Sequence, residues 1–209
     1  MNSKDGNREE IRIHADAVEL DGLVSIPSGA QGLVLFAHGS GSSRHSPRNS
    51  FVADRLREAK MGTFLFDLLT EEEDILDRRT SELRFNINLL SSRLLGATNW
   101  VMDQERFRSL PIGYFGASTG AAAALMAAGE QSVSGIVSRG GRPDLAADAL
   151  GKVTAPTLLI VGGLDTQVID LNKWAYERLA SDQKDMAIVQ GATHLFEEEG
   201  ALEKVADLA

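Results

Sequence analysis

The chain has 209 residues, 43% of them hydrophobic and 24% charged, with a formal net charge of −9 and no cysteine. A chain of this length buries roughly 70% of its unfolded surface, so residues 1–209 read as a single domain that folds without a metal or a disulfide. The acidic balance argues against a nucleic-acid or anionic-membrane partner, since both need clustered Lys and Arg, and the absence of cysteine excludes disulfides, thiolate catalysis and Cys-ligated metals together.

The N-terminus, Met1 to Glu10, is polar and has no apolar core of the kind a secretory signal carries. The longest wholly apolar stretch, Ala121 to Ala128, falls far short of the roughly 20 residues a membrane span needs. The chain therefore reads as soluble and cytoplasmic. Ile11 to His14 and Val18 to Ile26 alternate in part around Ala15-Asp16 and Asp21-Gly22 and predict an antiparallel hairpin on one sheet edge. Continuous apolar runs follow at 33–37, 63–66, 112–115, 135–138, 157–161 and 186–189. Such runs suit strands buried on both faces. Helical patterns separate them. Leu83, Ile87, Leu90, Leu94, Ala97 and Val101 mark one helix face, and 118–128 is Ala-rich and ends at Gly129, a C-cap residue. Segments 171–179 and 201–208 predict two more helices. Strands alternating with helices give an α/β fold with a mostly parallel, doubly wound sheet. The acidic stretch Glu71 to Asp77 reads as a solvated surface excursion.

In such a sheet, function gathers beyond the carboxyl ends of the strands, so the residues that end each run are informative. They are His38-Gly39-Ser40-Gly41-Ser42, Asp67, Gly116-Ala117-Ser118-Thr119-Gly120, Arg139-Gly140-Gly141-Arg142, Gly162-Gly163-Leu164-Asp165 and Gln190-Gly191-Ala192-Thr193-His194. The third is a G-x-S-x-G nucleophile elbow, placed as it must be between an apolar strand and a helix. Ser118 is the candidate nucleophile. The architecture expects the order Ser, Asp or Glu, His, and His194 is the one histidine of four that follows the elbow. Asp165, after the preceding strand, is the candidate acid, with Asp144, one strand earlier, as its competitor. Two N–H groups must hold the oxyanion. Thr119 and Ser40 are the candidates, with Gly41 the alternative to Ser40, and His38 reads as a brace for its loop.

His38-Gly39-Ser40-Gly41-Ser42, Gly116-Ala117-Ser118-Thr119-Gly120, Gly162-Gly163-Leu164-Asp165 and Gly191-Ala192-Thr193-His194 together resemble the motifs of the α/β-hydrolase superfamily, specifically the small dienelactone-hydrolase-like branch. The resemblance runs from the edge hairpin to the last helix and implies hydrolysis of a small-molecule ester or lactone through an acyl-enzyme. The branch's namesake enzymes carry a cysteine nucleophile where this chain has Ser118, so dienelactone itself is not implied. The stretch 138–144 also looks like a subgroup of bacterial hydrolases, some joined to a phosphoribosyltransferase domain. No cofactor or metal is implied. The same triad serves thioester and peptide hydrolysis, and a non-catalytic binding module on this fold is the rival from another class. The interval from 138 to 157 is too short for a large lid. Arg44, His45, Arg48, Arg139 and Arg142 fall at the active edge; Arg44, His45 and Arg139 are the candidate substrate contacts, against the alternative that local carboxylates neutralise them. The sequence leaves oligomeric state open.

Overall fold

The computed structural model describes residues 8–15 and 17–209, so residues 1–7 and Asp16 of the expected hairpin turn lie outside the described residues. Its strands are β1 (Glu9–Ala15), β2 (Val18–Ser25), β3 (Leu33–Ala37), β4 (Gly62–Phe66), β5 (Ile112–Ala117), β6 (Gly135–Arg139), β7 (Thr157–Gly162) and β8 (Lys184–Val189). The helices are α1 (Pro47–Glu58), α2 (Glu71–Thr80), α3 (Ile87–Asp103), α4 (Thr119–Ala128), α5 (Ala147–Leu150), α6 (Thr166–Arg178) and α7 (Ala201–Leu208). One sheet runs in the order β1-β2-β4-β3-β5-β6-β7-β8. The β1–β2 and β2–β4 pairs are antiparallel; every pair from β4 to β8 is parallel. This is the α/β-hydrolase architecture, with the N-terminal hairpin on the edge.

The inner parallel strands β3 to β7 are largely buried on both faces because alternate residues enter two separate cores, whereas β8, at the edge, is mostly half-buried. Leu35, Tyr114, Ile136 and Leu159 pack with α3 and α4, whose Leu90, Leu94, Ala123 and Leu125 fill that side. Phe36, Phe115 and Ile160 pack with Val52, Ala53 and Leu56 of α1 and Val205 of α7. The Phe36 and Phe115 rings stack at 5.0 Å, and Tyr114 keeps its buried hydroxyl satisfied by Thr98 of α3 at 2.8 Å. The chain passes from β3 outward to β4 and then returns to β5 on the other side of β3. The strand order therefore reverses at β3, and the crevice above β3 and β5 is where such sheets hold ligands.

Three sequence expectations need correction. The excursion 71–77 belongs to helix α2, which Thr70 opens with a full capping box: its hydroxyl accepts from the Glu73 N–H, and the Glu73 carboxylate accepts from the Thr70 N–H. Nor is all of it solvated, since Asp77 is 2% exposed and accepts from the N–H groups of Leu83 and Arg84 and from Arg84 Nε. Leu83 lies in a short 3₁₀ turn ahead of α3, because Asn86 caps that helix by accepting from the Leu89 N–H. The sixth helix starts at Thr166, directly after Asp165, rather than at 171. Helix α1 is a structural addition; Ser46 accepting from Asn49 N–H, with Pro47 at the first helical position, sets its start. Between β6 and β7 there is only a 3₁₀ turn (Pro143–Ala146) and the four-residue α5, so this connection carries no large lid. Among the described residues, no helix is long and apolar enough to cross a membrane.

Candidate active site

Ser118 stands between β5 and α4 with φ 52° and ψ −117°, a conformation that non-glycine residues avoid. Holding it there costs on the order of 1–3 kcal/mol, supplied by the packing around the turn. The packing is tight enough to need both glycines. A Cβ on Gly116 would lie 2.4 Å from Ala121 Cα, and one on Gly120 would lie 2.1 Å from the Ala37 carbonyl oxygen. The Ser118 N–H donates to the Arg139 carbonyl and the Arg142 N–H donates to the Ser118 carbonyl, which ties the elbow to the loop after β6. The hydroxyl is left facing the crevice.

His194 arrives from the loop after β8. Its Nε2 lies 3.3 Å from Ser118 Oγ and its Nδ1 lies 2.6 Å from Asp165 Oδ2. A carboxylate can only accept there, so Nδ1 carries the proton and Nε2 is left free to take one from the serine. The Asp165 loop is built onto the His194 loop: the N–H groups of Gly163 and Leu164 donate to the carbonyls of Val189 and Ala192. The His194 loop is itself closed by Glu198, which accepts from both the N–H and the hydroxyl of Thr193; the Thr193 hydroxyl holds the Glu198 carboxyl below its ordinary range. Asp144 sits elsewhere, gripped by both Nε and Nη2 of Arg142 at 2.9 and 2.7 Å.

The loop after β3 completes the edge. Ser40 and Thr119 are brought together, their hydroxyls 3.0 Å apart. The Thr119 N–H, at the first position of α4, has no acceptor within its own helix, and the helix end adds favourable potential for a developing negative charge. His38 lies behind this loop, 8% exposed. It accepts from the Leu68 N–H at Nε2, 3.1 Å away, and donates from Nδ1 to the Gly39 carbonyl at 3.0 Å. Burial pushes its pKa below the ordinary value, so it braces the loop as a neutral ring.

The cationic residues fare differently from one another. Arg44 is held by Asp67, through both its N–H and its guanidinium, and by Asp21 at 3.9 Å. Arg48 pairs with Glu197 at 3.0 Å and Arg142 with Asp144. His45 is exposed and lines a cavity of about 360 Å³ beside the loop after β3, together with Glu19, Asp67, Glu71 and Asp74. Arg139 alone among these arginines has no carboxylate partner among the described residues. Sequence reasoning missed Leu164 and Leu195, which flank Asp165 and His194 and are 64% and 42% exposed. Their only signal was an apolar residue next to a polar catalytic candidate. Among the described residues no group of three or more His, Asp or Glu side chains is arranged to hold a metal ion.

No protein-family profile matches the chain. Its structure superposes with a TM-score of 0.95 on the crystal structure of a dienelactone hydrolase from Anabaena variabilis, at 54% sequence identity over 97% of this chain and 94% of that one. The chain belongs to the dienelactone-hydrolase family of α/β-hydrolases. It is also 53% identical, over 203 residues and 96% of its length, to a Mycobacterium tuberculosis protein that carries the provisional name phosphoribosyl transferase. The chain spans 45% of the length of that curated relative. An α/β serine hydrolase homologue from Coxiella burnetii shares the fold at 20% identity, with a TM-score of 0.78 over 96% of this chain and 94% of that one. These neighbours support a hydrolase.

Proposed function

We propose that the chain hydrolyses carboxylic esters or lactones through an acyl-enzyme on Ser118, with His194 as general base and Asp165 as its orienting acid. The observation that carries this reading is the relay from Asp165 to His194 to Ser118, at 2.6 and 3.3 Å, ending on a serine held at positive φ. Ser118 Oγ attacks the substrate carbonyl while His194 Nε2 takes its proton. Asp165 stabilises the imidazolium so formed. The N–H groups of Thr119 and Ser40 receive the oxyanion. His194 then protonates the leaving alcohol, and water, activated at the same nitrogen, releases the acid. The proposed reaction uses these side chains, the two backbone N–H groups and water. The exposed Leu164 and Leu195 give the crevice an apolar rim for the substrate's carbon skeleton.

The family's dienelactone hydrolase and esterase neighbours support an ester bond as the target. Thioesters and peptides fit the same machinery and are the rival substrates. A binding module without catalysis is the rival class; it has no use for a strained serine on a histidine–carboxylate relay. The test is a panel of p-nitrophenyl esters, lactones and thioesters run with wild type and Ser118→Ala. Turnover of esters or lactones by wild type, lost on substitution, supports the reading. No turnover of any member by well-folded wild type contradicts it.

A further inference from the structure

We infer that Arg139, with Arg48 at its rim, forms a buried subsite beside Ser118 and His194 that takes a carboxylate- or phosphate-like oxyanion group. The inference rests on the ester-hydrolase reading only for where the anion comes from. Arg139 is the last residue of β6, between β5, which delivers Ser118, and β7, which delivers Asp165. It stands opposite Ala117 and Ile160 in register. Its carbonyl accepts the Ser118 N–H, and Gly140 after it packs on His194, with a Cβ there falling 3.5 Å from the ring. Strand alternation turns its side chain to the same sheet face as Val137 and Ile160, the face that α1 and α7 cover.

The side chain is 8% exposed, and its Nη1 is buried with no hydrogen-bond partner. Arg48, in the first turn of α1, has its Nε buried and equally unpartnered, and its Nη1 reaches out to Glu197 at the surface. Asn49, next to it and 2% exposed, carries a third orphaned polar atom, Oδ1. The α1 N-terminus adds its own positive potential to this corner. A buried cation without a partner is costly, and proteins as a rule pair such groups or use them to hold a ligand. Deprotonation does not relieve the cost here. Burial, and then the nearby Arg48 charge, lower the Arg139 pKa to about 10, which leaves it charged at neutral pH. No carboxylate among the described residues supplies the counter-charge, which leaves the place open to an external anion. A guanidinium is a planar fork of N–H donors, and it matches the two oxygens of a carboxylate or phosphate. The group can belong to the substrate, lying one residue from the elbow, or be a free anion that steadies the His194 loop.

The experiment compares p-nitrophenyl acetate with the monoanionic mono-p-nitrophenyl glutarate in wild type, Arg139→Leu and Arg139→Lys. In parallel, the Tm of wild type and Arg139→Leu is followed against glutarate and phosphate, with matched ionic strength set by a bulky salt. A substrate anion predicts a wild-type kcat/KM at least about tenfold higher for the glutarate ester, a charge-assisted hydrogen bond being of that size. Arg139→Leu should lower that ratio at least tenfold, and Arg139→Lys, which keeps the charge but not the fork, should fall between. A free anion predicts no ester preference, but a Tm rise and faster acetate hydrolysis with phosphate in wild type and neither in Arg139→Leu. An unchanged ester ratio together with no anion-dependent Tm shift in wild type overturns the subsite. If neither ester is hydrolysed, the hydrolase reading fails while the Tm titration still decides the subsite.

Discussion

The Ser40 hydroxyl lies 3.0 Å from the Thr119 hydroxyl, joining the loop after β3 to the first turn of α4. In the proposed mechanism the backbone N–H groups of these two residues hold the oxyanion, so their side chains set the distance between the two donors. Ser40→Ala removes the tie without removing either donor. One neutral hydrogen bond contributes about 0.5–1.5 kcal/mol, so kcat should fall by roughly threefold to tenfold with KM little changed. Ser40→Thr, which keeps the hydroxyl, should recover most of the rate. A rise in KM at constant kcat would place the pair in ground-state binding instead.

Asp165 and Asp144 are separated by their partners. Asp165 faces His194 Nδ1, whereas both Asp144 oxygens are taken by Arg142. Asp165→Asn permits the wrong imidazole tautomer and should lower kcat by about 10³- to 10⁴-fold. Asp144→Asn weakens a half-exposed ion pair and should leave kcat within a few-fold of wild type. Steady-state kinetics of the two variants on one ester decides it; the reverse ranking would move the acid to the loop after β6.

The buried, neutral His38 makes stability depend on pH. Its folded pKa is depressed, so as pH falls through the unfolded value near 6.5 the unfolded chain gains the proton first. This contribution to stability is present above about pH 6.5 and is lost progressively below it. His38→Gln offers Leu68 an acceptor that does not titrate. Its Tm should fall less between pH 8 and pH 5.5 than the Tm of wild type. Identical falls would show that His38 does not carry this dependence.

Asp77 closes the turn between α2 and α3 by accepting three N–H groups, from Leu83, from the Arg84 backbone and from Arg84 Nε. Asp77→Ala strands all three donors and the guanidinium. Chemical denaturation should report a loss of about 3 kcal/mol, the scale of a broken buried ion pair. A loss under 1 kcal/mol would mean that water replaces the carboxylate easily.

The candidate site was legible because each of its parts sits near a strand end that an apolar run announces. Ser118 comes immediately after β5, Asp165 three residues after β7 and His194 five residues after β8, and the parallel topology carries all three to one edge. Helix α1 escaped notice because its buried face is only Asn49, Val52, Ala53 and Leu56, too sparse for periodicity to outweigh its polar residues. Its start signal, Ser46-Pro47, was readable. Helix α2 was hidden by its charge: Asp77 is its one buried residue, and Thr70 with Glu73 was the capping box that announced it. The fates of the arginines depend on long-range neighbours. Arg48 meets Glu197 and Arg44 meets Asp67 only once the chain is folded, so nothing local could distinguish them from Arg139, which has no carboxylate partner among the described residues.

In the proposed mechanism Ser118 forms the covalent intermediate. Wild type and Ser118→Ala are treated with a fluorophosphonate probe, and the adducts are mapped by mass spectrometry alongside hydrolysis of a p-nitrophenyl ester. A Ser118 nucleophile predicts one adduct per chain, on Ser118, with activity lost in step with labelling, and no adduct and at least about a 10³-fold lower kcat in a folded Ser118→Ala. Labelling at another residue, or ester turnover that survives the substitution, would contradict it.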